Sequence, residues 1–292
     1  MFDKRVSIIM RTKDSSSIID QSLKALFSQS FTHFDLIIVD SGSKDDTLEK
    51  CSKYKHTLVK IKAQEYHPGK VINYVLQKCD SNVVVFLNSD CVMLLPNTLQ
   101  LLLNALESEN THAVFARQVC RPEAMSWVRR DYEVAFPMGE KPEWMHFSLP
   151  LAAIKREVWK KVPFYTQSWA SEDTKWAIDI KEKGYHIQYV KEALVMHSHN
   201  YNFKQLFNRK YVEGEADAYI FDLQINIFTL IKNYTASVWN DLIFHLKDLD
   251  IFGFFKTLIF RFFCHYAYYL GHKNGIKRKK NKDKKVTYGD YQ

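Results

Sequence analysis

Asn82-Val-Val-Val-Phe-Leu-Asn-Ser-Asp90 is an apolar run that ends on a carboxylate. A run without polar alternation reads as a strand covered on both faces, as in the parallel sheets of α/β proteins. Ligands of open α/β sheets gather beyond the carboxyl ends of such strands, so Asp90 stands where a site residue would. Upstream, Phe34-Asp-Leu-Ile-Ile-Val-Asp40 repeats the pattern and passes at once into Ser41-Gly-Ser-Lys-Asp-Asp-Thr47, a turn that opens a helix. Two strand-end aspartates thus frame one expected binding edge.

Outward from these runs, β-branched segments alternate with helical patterns: 6–10 then 15–28, 34–40 then 44–54, 58–61 then 70–79, and 83–87 then 97–107. Such alternation implies βαβ units and a doubly wound, mostly parallel α/β sheet with helices on both faces. Ser43 with Asp46 three residues later is a capping-box-like start for the second helix. Further strands are expected at 113–119 and 186–190, with 194–196 nearby. Residues 121–148 hold Pro122, Pro137 and Pro142 and read as an irregular segment over the cleft.

The chain has 292 residues, enough for one large domain with an appendage. We expect a nucleotide-binding and catalytic domain over 1–202, a helical region over 203–272 and a basic tail over 273–292. Of the formal charge of +8, the tail supplies +6, so the body is nearly neutral. With no aromatics interleaved in the basic run, nucleic-acid binding is not expected. Five widely spaced cysteines without a Cys-x-x-Cys pair argue against disulfides or zinc and for reduced thiols. The apolar stretch 6–10 is too short for a signal peptide, and the protein is expected to be cytoplasmic.

Over 250–272 the pattern is amphipathic: Thr257, Arg261, His265, Tyr268 and His272 share one side, and Phe252, Phe255, Ile259, Phe262, Phe263, Tyr266 and Leu270 the other. Lys256 and Arg261 interrupt it, against a bilayer-spanning helix. Two placements fit: an in-plane foot peripheral on the inner face of the cell membrane, its basic run drawn to anionic lipid, or a helix packed on the catalytic lobe.

Taken in order, Val6-Ser-Ile-Ile-Met-Arg-Thr-Lys-Asp14, Ile37-Ile-Val-Asp-Ser-Gly-Ser-Lys-Asp-Asp-Thr47 and Phe86-Leu-Asn-Ser-Asp90 resemble the family-two glycosyltransferases of the GT-A fold. The likeness continues through Tyr66-His-Pro-Gly-Lys-Val-Ile-Asn73, Ala116-Arg-Gln118, Ser171-Glu-Asp173 and His197-Ser-His-Asn-Tyr201, and is similar in detail to the bacterial rhamnosyltransferase-like branch. It covers roughly residues 5 to 220; an ordered series of motifs is more specific than any one of them.

The resemblance implies an inverting transferase that moves a sugar from a nucleotide-diphospho-sugar donor to a saccharide or lipid-linked acceptor in bacterial surface polysaccharide synthesis. Asp173 would be the general base, with Glu172 orienting it or binding an acceptor hydroxyl. Arg11, Thr12, Asp40, Lys70, Asn73, Asn88, Ser89, Arg117 and Gln118 would line the donor. Asp90 and His197 would hold Mg²⁺ or Mn²⁺, and His199 and Arg209 would face the diphosphate. Here the sequence departs from the family's Asp-x-Asp motif: Asn88 replaces the first carboxylate, leaving one acid for the cation.

The residues alone also allow plainer roles. Two acids in a first helical turn complement the helix dipole, and a strand-end aspartate can simply cap a turn. Asn88 and the large amphipathic foot make a membrane-surface scaffold of the same fold that has lost catalysis the alternative. A sugar-nucleotide pyrophosphorylase is a weaker one, because Arg11-Thr-Lys-Asp-Ser-Ser-Ser17 has no glycine to cradle phosphate.

Overall fold

The computed structural model describes residues 2–221, 223–248 and 250–281. Its elements, in chain order, are β1 (Val6–Thr12), α1 (Ile19–Phe27), β2 (Phe34–Asp40), α2 (Thr47–Cys51), β3 (Thr57–Lys60), α3 (Pro68–Leu76), β4 (Val83–Asn88), β5 (Val92–Met93), α4 (Thr98–Leu106), β6 (Ala113–Val119), α5 (Ser126–Ala135), β7 (Leu151–Lys155), α6 (Arg156–Lys161), α7 (Glu172–Glu182), β8 (Ile187–Met196), α8 (Phe203–Ile220), α9 (Ile227–Asp248) and α10 (Ile251–Lys280). They divide into two compact units: one built from the residues up to Arg121 with Val134–Tyr165 and Asp173–His197, the other from Pro122–Glu133, Thr166–Glu172 and Ser198 onward. Instead of one cut after residue 202, the chain passes between the units several times.

In the first unit the sheet runs β3-β2-β1-β4-β7-β6-β8-β5. β1, β2, β3 and β4 are parallel, as their continuous apolar runs predict, and β6 is parallel to β8. β7 enters antiparallel between β4 and β6, and β5 pairs antiparallel with β8, so the sheet is mixed. Register sets Thr12 opposite Asp40 and Arg11 opposite Asn88, all at the carboxyl edge. Strand order reverses between β1 and β4, and a crevice opens at such a switch point.

Alternate residues of the strands feed two cores. Ile8, Met10, Ile38, Val85 and Leu87 join Leu23 and Leu26 of α1 and Leu99, Leu102 and Leu106 of α4. On the opposite face Phe86 packs edge-on to Phe164, which stacks on Trp176 at 4.8 Å between ring centroids. Trp176, fully buried, also donates from Nε1 to the Val162 carbonyl at 2.8 Å, fastening α7 to the end of α6. An indole anchored at both its face and its N–H fixes the helix rotation, and with it the acids of the helix's first turn.

Several local expectations need correction. α2 is shorter than the 44–54 pattern, and no capping box forms there: Asp46 is the N-cap without a side-chain bond, while Ser43 Oγ bonds Asp40. Within 121–148 lies the helix α5, not only irregular chain. The runs at 186–190 and 194–196 are one strand, with 191–193 bulging out of the β6 register. The basic stretch from 273 begins as helix, since α10 continues to Lys280; the rest of that expected tail, 282–292, lies outside the described residues.

In the second unit α8 and α10 pack at backbone contact. A Cβ on Gly214 would fall 2.1 Å from the Tyr268 carbonyl oxygen, and one on Gly271 would fall 1.9 Å from that of Tyr211, so only glycine permits this approach. The faces of α10 are the reverse of the soluble habit. Thr257, Arg261 and His272 are buried, whereas Phe252, Phe255, Ile259 and Phe262 are exposed. Inside, Arg261 donates to Asp131 of α5 and to the buried Asp241 of α9, which also accepts from Arg130. Two arginines against two carboxylates, with Arg261 also over the Trp127 ring at 5.1 Å, satisfy charges that would otherwise be costly to bury.

Candidate active site

Asp90 follows β4 by two residues and His197 follows β8 by one. The two strand ends bring Asp90 Oδ2 within 3.7 Å of His197 Nε2. This gap is less than twice the ~2.1 Å of a magnesium–ligand contact, so one ion can touch both. One hard carboxylate oxygen beside one imidazole nitrogen suits Mg²⁺ or Mn²⁺. The pair therefore has the spacing and the donor atoms such an ion needs. The other His197 nitrogen, Nδ1, lies 2.9 Å from Gln118 Oε1. Arg121, two residues beyond β6, donates from Nη2 to the Asp90 carbonyl at 2.8 Å, setting a cation against the same turn. Burial pushes the neighbouring Cys91 thiol well up, with the Asp90 charge adding to it, so that thiol is inert.

Asp173 lies in the first turn of α7, where its Oδ1 accepts from the Thr174 N–H at 2.8 Å and its Oδ2 from the Leu149 N–H at 3.4 Å. The turn into the helix is sharp: Ser171 adopts left-handed backbone with φ 58°, a strained choice for a residue with a side chain. Glu172 is buried. Leu149 belongs to a three-residue segment before β7 that touches three parts of the site. Ser148 Oγ accepts from Gln118 Nε2 at 2.8 Å, Leu149 holds Asp173, and the Pro150 carbonyl accepts from the Asn88 N–H at 2.9 Å. The prospective base and the prospective metal ligand are thus tied to one backbone segment.

Along the carboxyl edge, Arg11 donates to Asn88 Oδ1 at 3.2 Å, and Ser89 Oγ lies 2.8 Å from Ser15 Oγ. Thr12 Oγ1 is buried with no hydrogen-bond partner among the described residues, which is uncommon for a buried polar atom. Asp40 spends its carboxylate on its own turn, accepting from the Gly42 and Ser43 N–H groups and the Ser43 hydroxyl. Gly42 meets that turn with φ 89°, which side chains rarely adopt. Arg117 donates to the Phe136 carbonyl and to the Met138 sulfur. Lys70 is exposed on α3.

Three expected site residues are placed otherwise. Asn73, expected at the donor, is a packing clasp: its Nδ2 donates to the Phe164 carbonyl, and its Oδ1 accepts from the Trp159 indole and the Phe164 N–H. Gln118, also expected at the donor, is buried between Ser148 and His197. In the second unit Arg209 pairs with Glu213 at 2.7 Å, and Lys210 pairs with the same carboxylate at 2.7 Å. Burial would raise the Glu213 pKa, but Lys210 and Arg209 hold it down at about 2. His199 is exposed and stacks on Tyr201. Arg121, Ser148 and Leu149 were not foreseen; the only sequence signal was a basic residue just past a strand end.

Residues 7–177 match glycosyl transferase family 2, and the chain belongs to that family. The O-antigen chain rhamnosyltransferase RfbN of Salmonella typhimurium is 26% identical over 72% of this chain and 71% of its own. WbaN of Salmonella anatum, an O-antigen chain rhamnosyltransferase too, is 30% identical over 61% of each. Among solved structures, the mannosyltransferase PcManGT from Pyrobaculum calidifontis, in complex with GDP-Man and Mn²⁺, superposes with a TM-score of 0.66 at 17% identity, covering 96% of this chain and 88% of that one. S. aureus TarS 1-349 in complex with UDP has a TM-score of 0.52 at 16% identity over 96% and 92%. The fold is therefore that of GT-A glycosyltransferases.

Proposed function

We propose that this glycosyltransferase is inverting and cation-dependent, and that it moves a sugar from a nucleotide-diphospho-sugar to a saccharide or lipid-linked acceptor in bacterial surface polysaccharide synthesis. The observation that carries the reading is the Asp90–His197 pair at the sheet's carboxyl edge, tied through Gln118 and Ser148 to the segment that holds Asp173. The two Salmonella relatives, both O-antigen chain rhamnosyltransferases, favour this acceptor class.

Asp173 takes the acceptor hydroxyl's proton as the oxygen attacks the anomeric carbon. The bond from that carbon to the diphosphate oxygen breaks on the opposite face, and the nucleoside diphosphate departs with the electron pair. One displacement inverts the centre. Two hydrogen bonds from backbone N–H groups orient the Asp173 carboxylate, and Glu172 beside it in sequence binds an acceptor hydroxyl. Asp90 and His197 would hold the cation. A divalent cation held by that pair would supply positive charge for the leaving diphosphate. Arg11, Arg117 and Arg121 supply further cationic donors, while Thr12, Asn88 and Ser89 line the nucleotide side and Asp40 shapes its turn.

The work is done at a membrane surface. α9 and α10 expose Phe228, Ile231, Trp239, Ile243, Phe252 and Phe255, while their facing sides meet through Asp241–Arg261, His245–Thr257 and Ser237–His265. Apolar outside and polar inside is the arrangement of helices that lie in an apolar medium. Exposed Lys273, Lys277 and Lys280 in the last turns of α10 favour anionic headgroups as the covering surface. Among the described residues no helix is long and apolar enough to cross a membrane.

A thermal-shift panel of UDP, GDP, dTDP and CMP with and without Mn²⁺ tests the reading. One nucleotide should raise the midpoint by roughly 5 to 10 °C at saturation, only with metal, and Asp90→Ala should abolish the shift. No shift with any nucleotide points to a scaffold that kept the fold and lost the chemistry.

A further inference from the structure

We infer that Gln118 and Ser148 form a positioning relay that fixes the tautomer of His197 and thereby makes its Nε2 a metal ligand. The inference rests on the proposed role of His197 and reassigns Gln118 from the donor pocket to the support of that histidine.

The relay is read from three distances within the first unit. Gln118 Nε2 donates to Ser148 Oγ at 2.8 Å, which turns the other end of the amide, Oε1, toward His197 Nδ1 at 2.9 Å. An amide oxygen only accepts, so Nδ1 carries the ring proton. In a neutral imidazole the second nitrogen then holds a lone pair, and this is Nε2, 3.7 Å from Asp90 Oδ2. The opposite tautomer would place a proton on Nε2 and spend it on the Asp90 carboxylate, leaving no nitrogen for a cation. Gln118 and His197 are both buried, so water cannot readily take over the amide's part.

Backbone geometry explains why these residues meet. β6 and β8 run parallel with Gln118 opposite Val195, and the His197 N–H continues the ladder to the Val119 carbonyl. Ser148 arrives from the segment before β7, whose next residue holds Asp173. Metal ligand and base therefore depend on adjacent residues, and a shift of that segment moves both.

Mn²⁺ binding to the full chain, followed by the electron paramagnetic resonance of the free ion, tests the inference without turnover. Loss of a partner that orients a metal-bound histidine typically costs 10- to 100-fold in affinity. Gln118→Leu should weaken Mn²⁺ binding by that factor, while Gln118→Glu, which keeps an acceptor toward Nδ1, should stay within about threefold of wild type. Should Gln118→Leu not fold, Ser148→Ala reads the same relay through a smaller, several-fold loss. Nitrogen-15 spectra of metal-free protein should show His197 protonated at Nδ1. Wild-type affinity in Gln118→Leu or in Ser148→Ala, or a proton on Nε2, overturns the relay while leaving His197 as a ligand. If wild type and His197→Ala bind Mn²⁺ equally, the ligand assignment itself fails and the relay falls with it.

Discussion

Replacing Trp239, Phe252 and Phe255 together by serine should release the protein from anionic vesicles. These side chains belong to residues 64%, 86% and 59% exposed, so full embedding would cover roughly the equivalent of two large apolar side chains. At about 1.5 to 3 kcal/mol for each fully buried side chain, the loss is about 3 to 6 kcal/mol, or at least a hundredfold in partition. Because the three positions face solvent, the variant should keep the wild-type melting point and gain solubility. Co-sedimentation with phosphatidylglycerol-containing vesicles gives the affinity, and raising the salt separates its two parts: lysine attraction is screened, burial is not. Substituting Lys273, Lys277 and Lys280 by glutamine should cost about 1 kcal/mol each, and only at low salt. Vesicle binding within a few-fold of wild type in the serine variant would refute the membrane reading and leave the face to a protein partner or a second copy of the chain.

Asp173→Asn should lower transfer by about 10²- to 10⁴-fold while donor affinity, measured by calorimetry, stays near wild type, since the amide oxygen can still accept from Thr174. Transfer within a few-fold of wild type would remove Asp173 as the base. Arg261→Met should destabilise the helical unit by about 3 to 5 kcal/mol in urea unfolding, because Asp241, fully buried, and Asp131 would share Arg130 alone; a loss below 1 kcal/mol would mean the network is well hydrated. His265 is held down to about 4, chiefly by burial and then by Arg261 and Lys210, against the raising effect of Asp131 and Asp241. A folded-state pKa below the unfolded ~6.5 means that its contribution is whole above pH 6.5 and is lost as the pH falls toward 4. His265→Gln should flatten the fall in stability between those values, and an unchanged slope would show that other groups set it.

The parallel half of the sheet was legible because a strand buried on both faces has no room for polar alternation, so β1, β2 and β4 advertise themselves and so do the residues at their ends. β7 did not. Leu151–Lys155 is short, has two alanines at its centre and follows a proline, and it is a strand only because β4 and β6 leave a slot for it. The site divides along the same line. Asp90, His197 and Asp173 stand at element ends, where local pattern locates them. Gln118, Ser148 and Leu149 acquire their roles from neighbours 79, 30 and 24 residues away in the chain, and no periodicity encodes that. Asn73 shows the converse: a motif position whose amide is consumed by the Phe164 segment.

In α10 the periodicity separated two faces correctly but could not say which turns inward, and the usual rule of apolar inside gives the wrong sign here. Arg261 decides it. A guanidinium on one stripe of a helix is tolerable inside only if carboxylates meet it from more than one neighbour, and Asp131 of α5 and Asp241 of α9 do so. Gly271 adds a second constraint on the same side, since its Cα face meets the α8 backbone too closely for any side chain. With the polar stripe committed to these partners, Phe252, Phe255 and Phe262 on the opposite stripe are left facing outward. An outward face of that kind is costly in water and stable against acyl chains, so the buried arginine that interrupts α10 as a membrane-spanning helix also turns its apolar stripe outward, which is what the proposed membrane placement requires.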